Sequence, residues 1–172
     1  MRFRFLSVLA AGLLLAACAS KPEDTQASSP SGSTTTGAGS AVTSSSIVPG
    51  SQQDLAQNVG DRVLFGFDKY DLSPEAQATL ERQAAWLRQY PSVTVSVEGH
   101  CDERGTREYN LALGERRANS VKNYLVALGV DQNRIQTISY GKERPAVSGS
   151  NEEAWAQNRR AVTVVSGGAP SS

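Results

Sequence analysis

Aromatic residues are distributed unevenly along this chain of 172 residues, and their distribution limits where a hydrophobic core can form. Phe3 and Phe5 lie at the extreme N-terminus, and every other aromatic residue lies between Phe65 and Trp155. Residues 19–64 contain none. A folded domain is therefore expected in roughly the last hundred residues, a length that can bury a sufficient core without disulfides or metals.

The first 17 residues have the composition of a secretory signal peptide. Arg2 and Arg4 precede a mainly apolar run from Leu6 to Ala17. This run is too short to span a bilayer, which needs about 20 residues. Basic residues followed by a short apolar run at the very N-terminus are typical of an export signal.

The end of this run carries a more specific feature. The residues LAAC, which end at Cys18, resemble the box of bacterial lipoproteins, in which small residues precede a cysteine. The resemblance implies that Cys18 is lipidated and becomes the new N-terminus. Ala19 follows instead of Asp, which in that family implies sorting to the outer membrane. Cys101 then has no intramolecular partner, and we expect a small buried side chain near a strand end.

The segment after the cysteine is rich in Ser, Thr, Gly, Ala and Gln. Such a composition cannot bury enough apolar surface to offset its ordering entropy, so it is typical of a flexible linker. Its relaxed end-to-end distance would be roughly 35 Å, at about 5–6 Å × √n. The predicted organisation is a signal peptide (1–17), a lipidated cysteine with its linker (18–61), a domain (62–166) and a flexible tail (167–172).

The domain alternates between strand and helix patterns. Alternating apolar residues predict four strands, at 63–67, 93–97, 135–140 and 161–165. In the first of them, Val63, Phe65 and Phe67 are expected on one face. The sequence does not determine the order of the strands in the sheet.

Two longer helices and one short helix are predicted between these strands. Ser73 is the expected N-cap of the first helix, which Pro91 ends. Apolar residues spaced alternately by three and four predict a second helix from Leu111 to Leu128, with Gly129 as its C-cap. A short helix is expected around 152–157. The predicted fold is α+β, with two main helices packed on one face of a small mixed four-stranded sheet.

Residues 98–118, EGHCDERGTREYNLALGERRA, carry the most chemically suggestive side chains. His100 and Cys101 are adjacent, and adjacent residues at a strand end point to opposite sides, which is unfavourable for a thiol nucleophile and its base. Four consecutive potential ligands, 100–103, cannot converge tetrahedrally on a metal. We therefore predict no catalytic site and no metal site. The balanced charge, 17 basic against 17 acidic residues, disfavours nucleic acid as a partner.

Most charges in this stretch are expected to be solvated, namely Glu103, Arg104, Arg107, Glu108, Glu115 and Arg116. Asp102 and Arg117 differ from them. Asp102 follows the second strand, and Arg117 lies seven residues after Asn110, on the same stripe of the second helix. From the residues alone, a structural Asp102–Arg117 salt bridge and a ligand pocket are equally favoured.

Four motifs then identify a family. They are VLFGFDKYDLSPEA, EGHCDERGTREYNLALGERRANSVKNYL, SYGKERPAV and NRRAV. Over roughly residues 60–166 they resemble the peptidoglycan-associated lipoproteins (Pal) of the Tol–Pal system, whose periplasmic domain has the OmpA-like fold. This resemblance implies a protein that is not an enzyme and needs no cofactor. Its expected ligand is the diaminopimelate of the peptidoglycan stem peptide.

The resemblance also assigns residues to that ligand, whose side-chain end carries an ammonium and a carboxylate on one carbon. It implies that Asp102 takes the ammonium and that Arg117 takes the carboxylate, which a guanidinium can bind with two hydrogen bonds. Asn110 matches a further polar contact, and Asp68 matches a position whose backbone N–H meets the carboxylate. Arg159 matches another arginine lining the site.

The same resemblance implies partners and a location. TolB and other Tol proteins are the expected protein partners, and the lipid on Cys18 is expected to anchor the protein to the outer membrane, with roles in cell division and envelope integrity. One alternative is an OmpA-like lipoprotein outside the Tol system, with the same ligand but without TolB. A remoter alternative is a thiol-dependent envelope hydrolase that uses Cys101.

Overall fold

The computed structural model describes residues 47–169. The predicted signal peptide, Cys18, most of the predicted linker and residues 170–172 of the predicted tail lie outside the described residues. Within the described part, no helix combines the length and the apolar character needed to cross a membrane.

Four strands form one mixed sheet in the order β1–β4–β2–β3. Their bounds are Arg62–Leu64 for β1, Thr94–His100 for β2, Ile135–Gly141 for β3 and Arg160–Gly167 for β4. β4 is antiparallel to both of its neighbours, whereas β2 and β3 are parallel. The last strand of the chain therefore lies inside the sheet, between β1 and β2.

The helices agree with the predicted pattern and include one that was not expected. Their bounds are Gln52–Asp54 for α1, which continues into a π-helical turn at Leu55–Val59, Pro74–Gln89 for α2, Arg107–Ala127 for α3 and Glu152–Asn158 for α4. The side chain of Ser73 accepts a hydrogen bond from the Ala76 N–H, which confirms the predicted N-cap of α2. The prediction of two main helices against a mixed four-stranded sheet is confirmed.

The hydrophobic core lies between the sheet and the helices α2 and α3. Its fully buried members include Leu80, Leu87, Val95, Val97 and Leu125. At one end of the sheet, β2 and α3 approach so closely that a Cβ on Gly99 would lie 1.8 Å from the carbonyl oxygen of Gly114. Only two glycines allow this contact, and it brings the first turns of α3 beside the end of β2.

The segment α1 lies inside the predicted linker, so the chain folds earlier than residue 62. Leu55 is fully buried in the core. Asp54 is buried beside it, and its carboxylate accepts a hydrogen bond of 2.9 Å from the indole N–H of Trp86. Contacts with residues more than 30 positions away therefore order this segment, although its own composition is typical of a linker.

The first strand is shorter than predicted. Val63 and Phe65 are buried as expected, but Phe67 is 60% exposed, so its predicted place on the same face is wrong. The physical reason is a turn, which the Lys69 N–H closes by donating to the carbonyl of Gly66 at 3.2 Å. The turn takes Phe67 and Asp68 out of the sheet and toward the functional site.

Candidate functional site

A pocket of about 240 Å³ lies at the carboxyl end of β2. It is bounded by the turn after β1, the loop after β2 and the first turns of α3. Four of the five predicted ligand residues line it, namely Asp68, Asp102, Asn110 and Arg117. The fifth, Arg159, contacts the pocket indirectly through Asp102.

Arg117 forms the basic part of the pocket, and its side chain is fully buried. Its guanidinium donates to three backbone carbonyls, those of Lys69 at 2.8 Å, His100 at 2.7 Å and Gly66 at 3.2 Å. Burial lowers the pKa of Arg117, but an arginine in a protein remains charged. Among the described residues, no carboxylate forms an ion pair with it. The charge is therefore stabilised by three carbonyl dipoles and by the ring of Phe65, whose centre lies 5.2 Å from the guanidinium carbon.

Asp102 forms the acidic part of the pocket and is 5% exposed. Its Oδ1 accepts from the backbone N–H of Arg104 at 3.1 Å and from Arg104 Nε at 3.2 Å. Its Oδ2 accepts from Arg104 Nη2 at 2.6 Å and from Arg159 Nη1 at 3.4 Å. Burial raises the pKa of Asp102, but the hydrogen bonds from Arg104 outweigh it, so the net pKa lies below its ordinary value. The carboxylate is ionised at neutral pH.

Asp102 and Arg117, for which the sequence left a direct salt bridge open, thus have different partners. Asp102 pairs with Arg104 and Arg159, and Arg117 binds carbonyl oxygens. A direct Asp102–Arg117 ion pair is absent from the described residues, so that alternative is wrong. Both charged groups nevertheless line one pocket.

Arg159 supports Asp102 from behind. Its Nε donates to the carbonyl of Phe65 at 3.1 Å, and its Nη2 donates to Glu152 Oε1 at 2.7 Å. Because β4 lies between β1 and β2, its first residues come next to the ends of both strands. Arg159 therefore fixes Asp102 relative to the end of β1.

Asn110 shapes the loop that precedes α3. Its side-chain amide donates to the carbonyls of Arg104 at 2.8 Å and Thr106 at 3.1 Å. Its own backbone carbonyl accepts from the buried thiol of Cys101 at 3.3 Å. Asn110 and Cys101 together hold the Asp102 loop against the helix, and the buried thiol fits the small filler that the sequence predicted.

Asp68 lies in the turn after β1 with a backbone φ of +56°. This left-handed conformation is uncommon for residues other than glycine, although Asp tolerates it better than most. Its carboxylate accepts a hydrogen bond from the Tyr109 hydroxyl, on the first turn of α3. That hydrogen bond raises the pKa of Tyr109. The contact ties the turn to the helix across the mouth of the pocket.

Arg104 also lines the pocket, although the sequence predicts it among the solvated charges. Its guanidinium carbon lies 4.2 Å from the ring centre of Phe67 and 4.0 Å from that of Trp155, so the cation lies between two aromatic rings. It also holds both oxygens of Asp102. The one available signal was the spacing Asp-x-Arg, which lets a carboxylate accept from the N–H two residues later.

His100 and Cys101 do not form a catalytic pair in the described structure. The His100 ring is buried and stacks on Tyr140, with ring centres 5.5 Å apart. Burial, together with the charges of Arg160 and Arg144, lowers the pKa of His100 to about 4. The ring is therefore neutral at pH 7. Glu98, although 3.7 Å away, is not its ion-pair partner there.

The Cys101 thiol is also poorly suited to nucleophilic chemistry. Burial raises its pKa, which keeps it protonated at neutral pH. Within residues 47–169, no three or more His, Cys, Asp or Glu side chains lie together in a way that could hold a metal ion.

Comparison with known proteins adds the family context. The sequence profile of the OmpA family matches residues 64–159. A peptidoglycan-associated lipoprotein of Rhizobium meliloti is 51% identical over 158 residues, which cover 90% of this chain and 83% of the relative. One from Haemophilus influenzae is 53% identical over 109 residues, covering 63% of this chain and 71% of the relative.

Solved structures show the same fold. The peptidoglycan-associated lipoprotein from Burkholderia pseudomallei matches with a TM-score of 0.60 and 44% identity, covering 61% of this chain and 89% of that one. The C-terminal domain of Helicobacter pylori MotB matches with a TM-score of 0.58 and 24% identity, covering 62% of this chain and 84% of that one. At that identity, the second match supports the fold alone.

Proposed function

The chain belongs to the OmpA family, and from that premise we propose that it is a peptidoglycan-associated lipoprotein whose domain binds the diaminopimelate of the stem peptide without a covalent bond. The names of its relatives support association with peptidoglycan. The observation that carries the specific ligand is the pair of oppositely charged buried groups, Asp102 and Arg117, in one pocket.

The end of a diaminopimelate side chain matches this pair chemically. It carries an ammonium and a carboxylate on one carbon, so a receptor needs both signs of charge within a few ångströms. A buried carboxylate and a buried guanidinium provide these signs in a site of low dielectric, where each interaction is strong.

Arg117 has the donors that a ligand carboxylate requires. A guanidinium has five N–H groups, and the three carbonyls use one each on Nε, Nη1 and Nη2. One N–H therefore remains on each terminal nitrogen. We propose that these two donors bind the ligand carboxylate. Carbonyl dipoles do not neutralise the positive charge of Arg117, and the ligand carboxylate would do so.

The remaining residues position this pair. Arg159 holds Asp102 relative to β1, and Asn110 holds the loop that carries it. Asp68 places the turn after β1 beside the pocket, where its backbone N–H would meet the ligand carboxylate. We propose that the protein acts by binding alone, because the buried, protonated thiol of Cys101 disfavours a hydrolase.

We extend the proposal to the whole chain. A signal peptide (1–17) directs export, lipid on Cys18 anchors the protein in the outer membrane, and a linker carries the domain to the cell wall. The protein would then tether the membrane to peptidoglycan as part of the Tol–Pal system, in cell division and envelope integrity. Association with purified TolB in a pull-down supports the Tol role. No association would favour an OmpA-like lipoprotein outside that system.

Sedimentation with purified diaminopimelate-type peptidoglycan tests the ligand. Asp102→Asn keeps the shape of the side chain and removes its charge, and we expect binding to fall by at least about thirtyfold, the range for truncating a buried charge contact. Arg107→Gln is the matched control, because Arg107 pairs with exposed Glu143 outside the pocket. Unchanged binding by Asp102→Asn would remove Asp102 from the site.

A further inference from the structure

The carboxylate of Asp102 has no free acceptor position in this structure. Two carboxylate oxygens offer about four lone-pair positions. Arg104 fills three of them, through its backbone N–H, Nε and Nη2, and Arg159 fills the fourth. An ammonium group that binds Asp102 must therefore replace one of these donors.

Of the two arginine side chains, that of Arg104 is the more exposed, although it also pairs with Glu152 at 3.8 Å. The N–H of Arg104 belongs to the backbone of the loop. The side chain of Arg159 is 8% exposed and is held by the Phe65 carbonyl and by Glu152. The side chain of Arg104, in contrast, is 32% exposed, and its aromatic neighbour Phe67 lies largely in solvent.

We propose that the Arg104 guanidinium is an intramolecular stand-in for the ligand ammonium, and that it leaves Asp102 when the ligand binds. This inference rests on the proposed function of the pocket. In the free protein Arg104 is the nearer of the two arginines that neutralise this buried carboxylate, at 2.6 Å against 3.4 Å for Arg159. In the complex the ligand ammonium takes over that role. Arg104 thus sets the affinity by competing with the ligand, and it is not one of the ligand contacts.

The displacement has a structural consequence outside the pocket. The Arg104 cation now lies between Phe67, in the turn after β1, and Trp155, on α4. Its departure would uncover one face of each ring. The indole N–H of Trp155 donates to Glu103, next to Asp102, at 3.0 Å, so the environment of this N–H should change when the loop loses its arginine contact. Trp155 is therefore a built-in reporter of the exchange.

Calorimetry with a soluble stem peptide that contains diaminopimelate tests the competition in the full chain. We expect Arg104→Gln to bind about threefold to tenfold more tightly than wild type, which corresponds to about 0.7–1.4 kcal/mol. Arg107→Gln removes the same charge three residues away and should bind within about twofold of wild type, because it does not contact Asp102. Unchanged or weaker binding by Arg104→Gln would overturn the proposal.

A second measurement uses the unaltered protein. In a ¹H–¹⁵N spectrum, the Trp155 indole resonance should shift on addition of the peptide, while that of Trp86, which is bonded to Asp54 in the core, stays in place. A Trp155 resonance that does not move in a peptide-bound wild-type protein contradicts the displacement. If wild type binds no peptide at all, the proposed function fails. If it binds without these effects, only the role of Arg104 fails.

Discussion

Arg117 and Arg134 hold opposite ends of β2 in nearly the same way. Arg134 ends the 3₁₀ turn Gln132–Arg134 that precedes β3. Its guanidinium donates to three backbone carbonyls near the start of β2, those of Leu87, Tyr90 and Val93, at 2.7–2.9 Å. Arg117 does the same at the other end of the strand. Each arginine therefore serves a structural purpose, because it ties backbone carbonyls of separate segments together, although the carbonyls of Gly66 and Tyr90 also accept a backbone N–H.

The two ends differ in what surrounds the charge. Arg134 is half-exposed, so water screens its charge. Arg117 is fully buried and shares a pocket with the carboxylate of Asp102, which has its own partners. Hydrogen bonds to carbonyls therefore do not by themselves indicate a binding site. Under the proposed function, the feature that distinguishes the binding end is a buried guanidinium with no carboxylate partner in the same pocket as a buried carboxylate.

Paired substitutions of Arg117 and Arg134 test whether the two ends of β2 differ in ligand binding. Arg117→Ala and Arg134→Ala each leave carbonyls without donors, and each should lower the free energy of unfolding by about 2–4 kcal/mol, measured by urea denaturation. Binding to peptidoglycan should separate them. We expect Arg117→Ala to lose at least about thirtyfold in affinity and Arg134→Ala to lose less than about threefold.

Arg117→Lys provides the control for unfolding. A lysine keeps the positive charge but lacks the planar fork, so it should restore part of the stability and little of the binding. Equal losses of binding in Arg117→Ala and Arg134→Ala would mean that the hydrogen bonds to backbone carbonyls, and not the buried charge, matter for the ligand.

The two ends of β2 should also differ in their contribution to the pH dependence of stability. The pocket end holds His100, the only histidine of the chain. Its folded-state pKa of about 4 lies below the ordinary value of about 6.5. As the pH falls through 6.5 the unfolded chain takes up a proton that the folded protein does not take up until about pH 4. The free energy of unfolding should therefore fall by about 2–3 kcal/mol between pH 7 and pH 4.5.

His100→Phe identifies the source of this loss. The variant keeps a ring against Tyr140 and has no titrating nitrogen, so the part of the loss that His100 causes should disappear from its urea unfolding curves. The same decline in both proteins would show that other groups, and not His100, cause the acid sensitivity.

The smallest effect is expected at Cys101. Cys101→Ser keeps a side chain of nearly the same size that can donate to the Asn110 carbonyl. Because this hydrogen bond is retained, the affinity for peptidoglycan should change by less than about threefold. Release of soluble muropeptides from peptidoglycan by the wild-type protein, abolished in Cys101→Ser, would instead support the hydrolase alternative.

The fold was predictable where local periodicity and burial agree. The alternating valines of β2 and the three-and-four spacing of α3 led to the right elements, and Ser73 gave the right start for α2. Strand order was not predictable, because β4 pairs with strands that lie far from it in the sequence. The segment α1 was missed for a similar reason, since its order depends on the distant Trp86 and not on its own composition.

The site was predictable in part. The motifs brought Asp102, Asn110 and Arg117 to notice, and the structure brings all three to one pocket. Their assignment to a ligand remains a proposal. Arg104 was missed because its partners, Phe67 and Trp155, lie 37 positions before it and 51 positions after it. A sequence pattern shows a charged residue, but it does not show which rings the fold places around it.

Competition between two stem peptides tests whether Arg117 binds the side-chain carboxylate of diaminopimelate. The peptides differ only in one residue, diaminopimelate or lysine, so both carry the ammonium and only the first carries the neighbouring carboxylate. If Arg117 binds that carboxylate, the diaminopimelate peptide should bind the wild-type protein at least about tenfold more tightly, by about 1.4 kcal/mol or more. In Arg117→Lys this preference should shrink. Equal binding of the two peptides to the wild-type protein would show that the pocket does not recognise the diaminopimelate carboxylate.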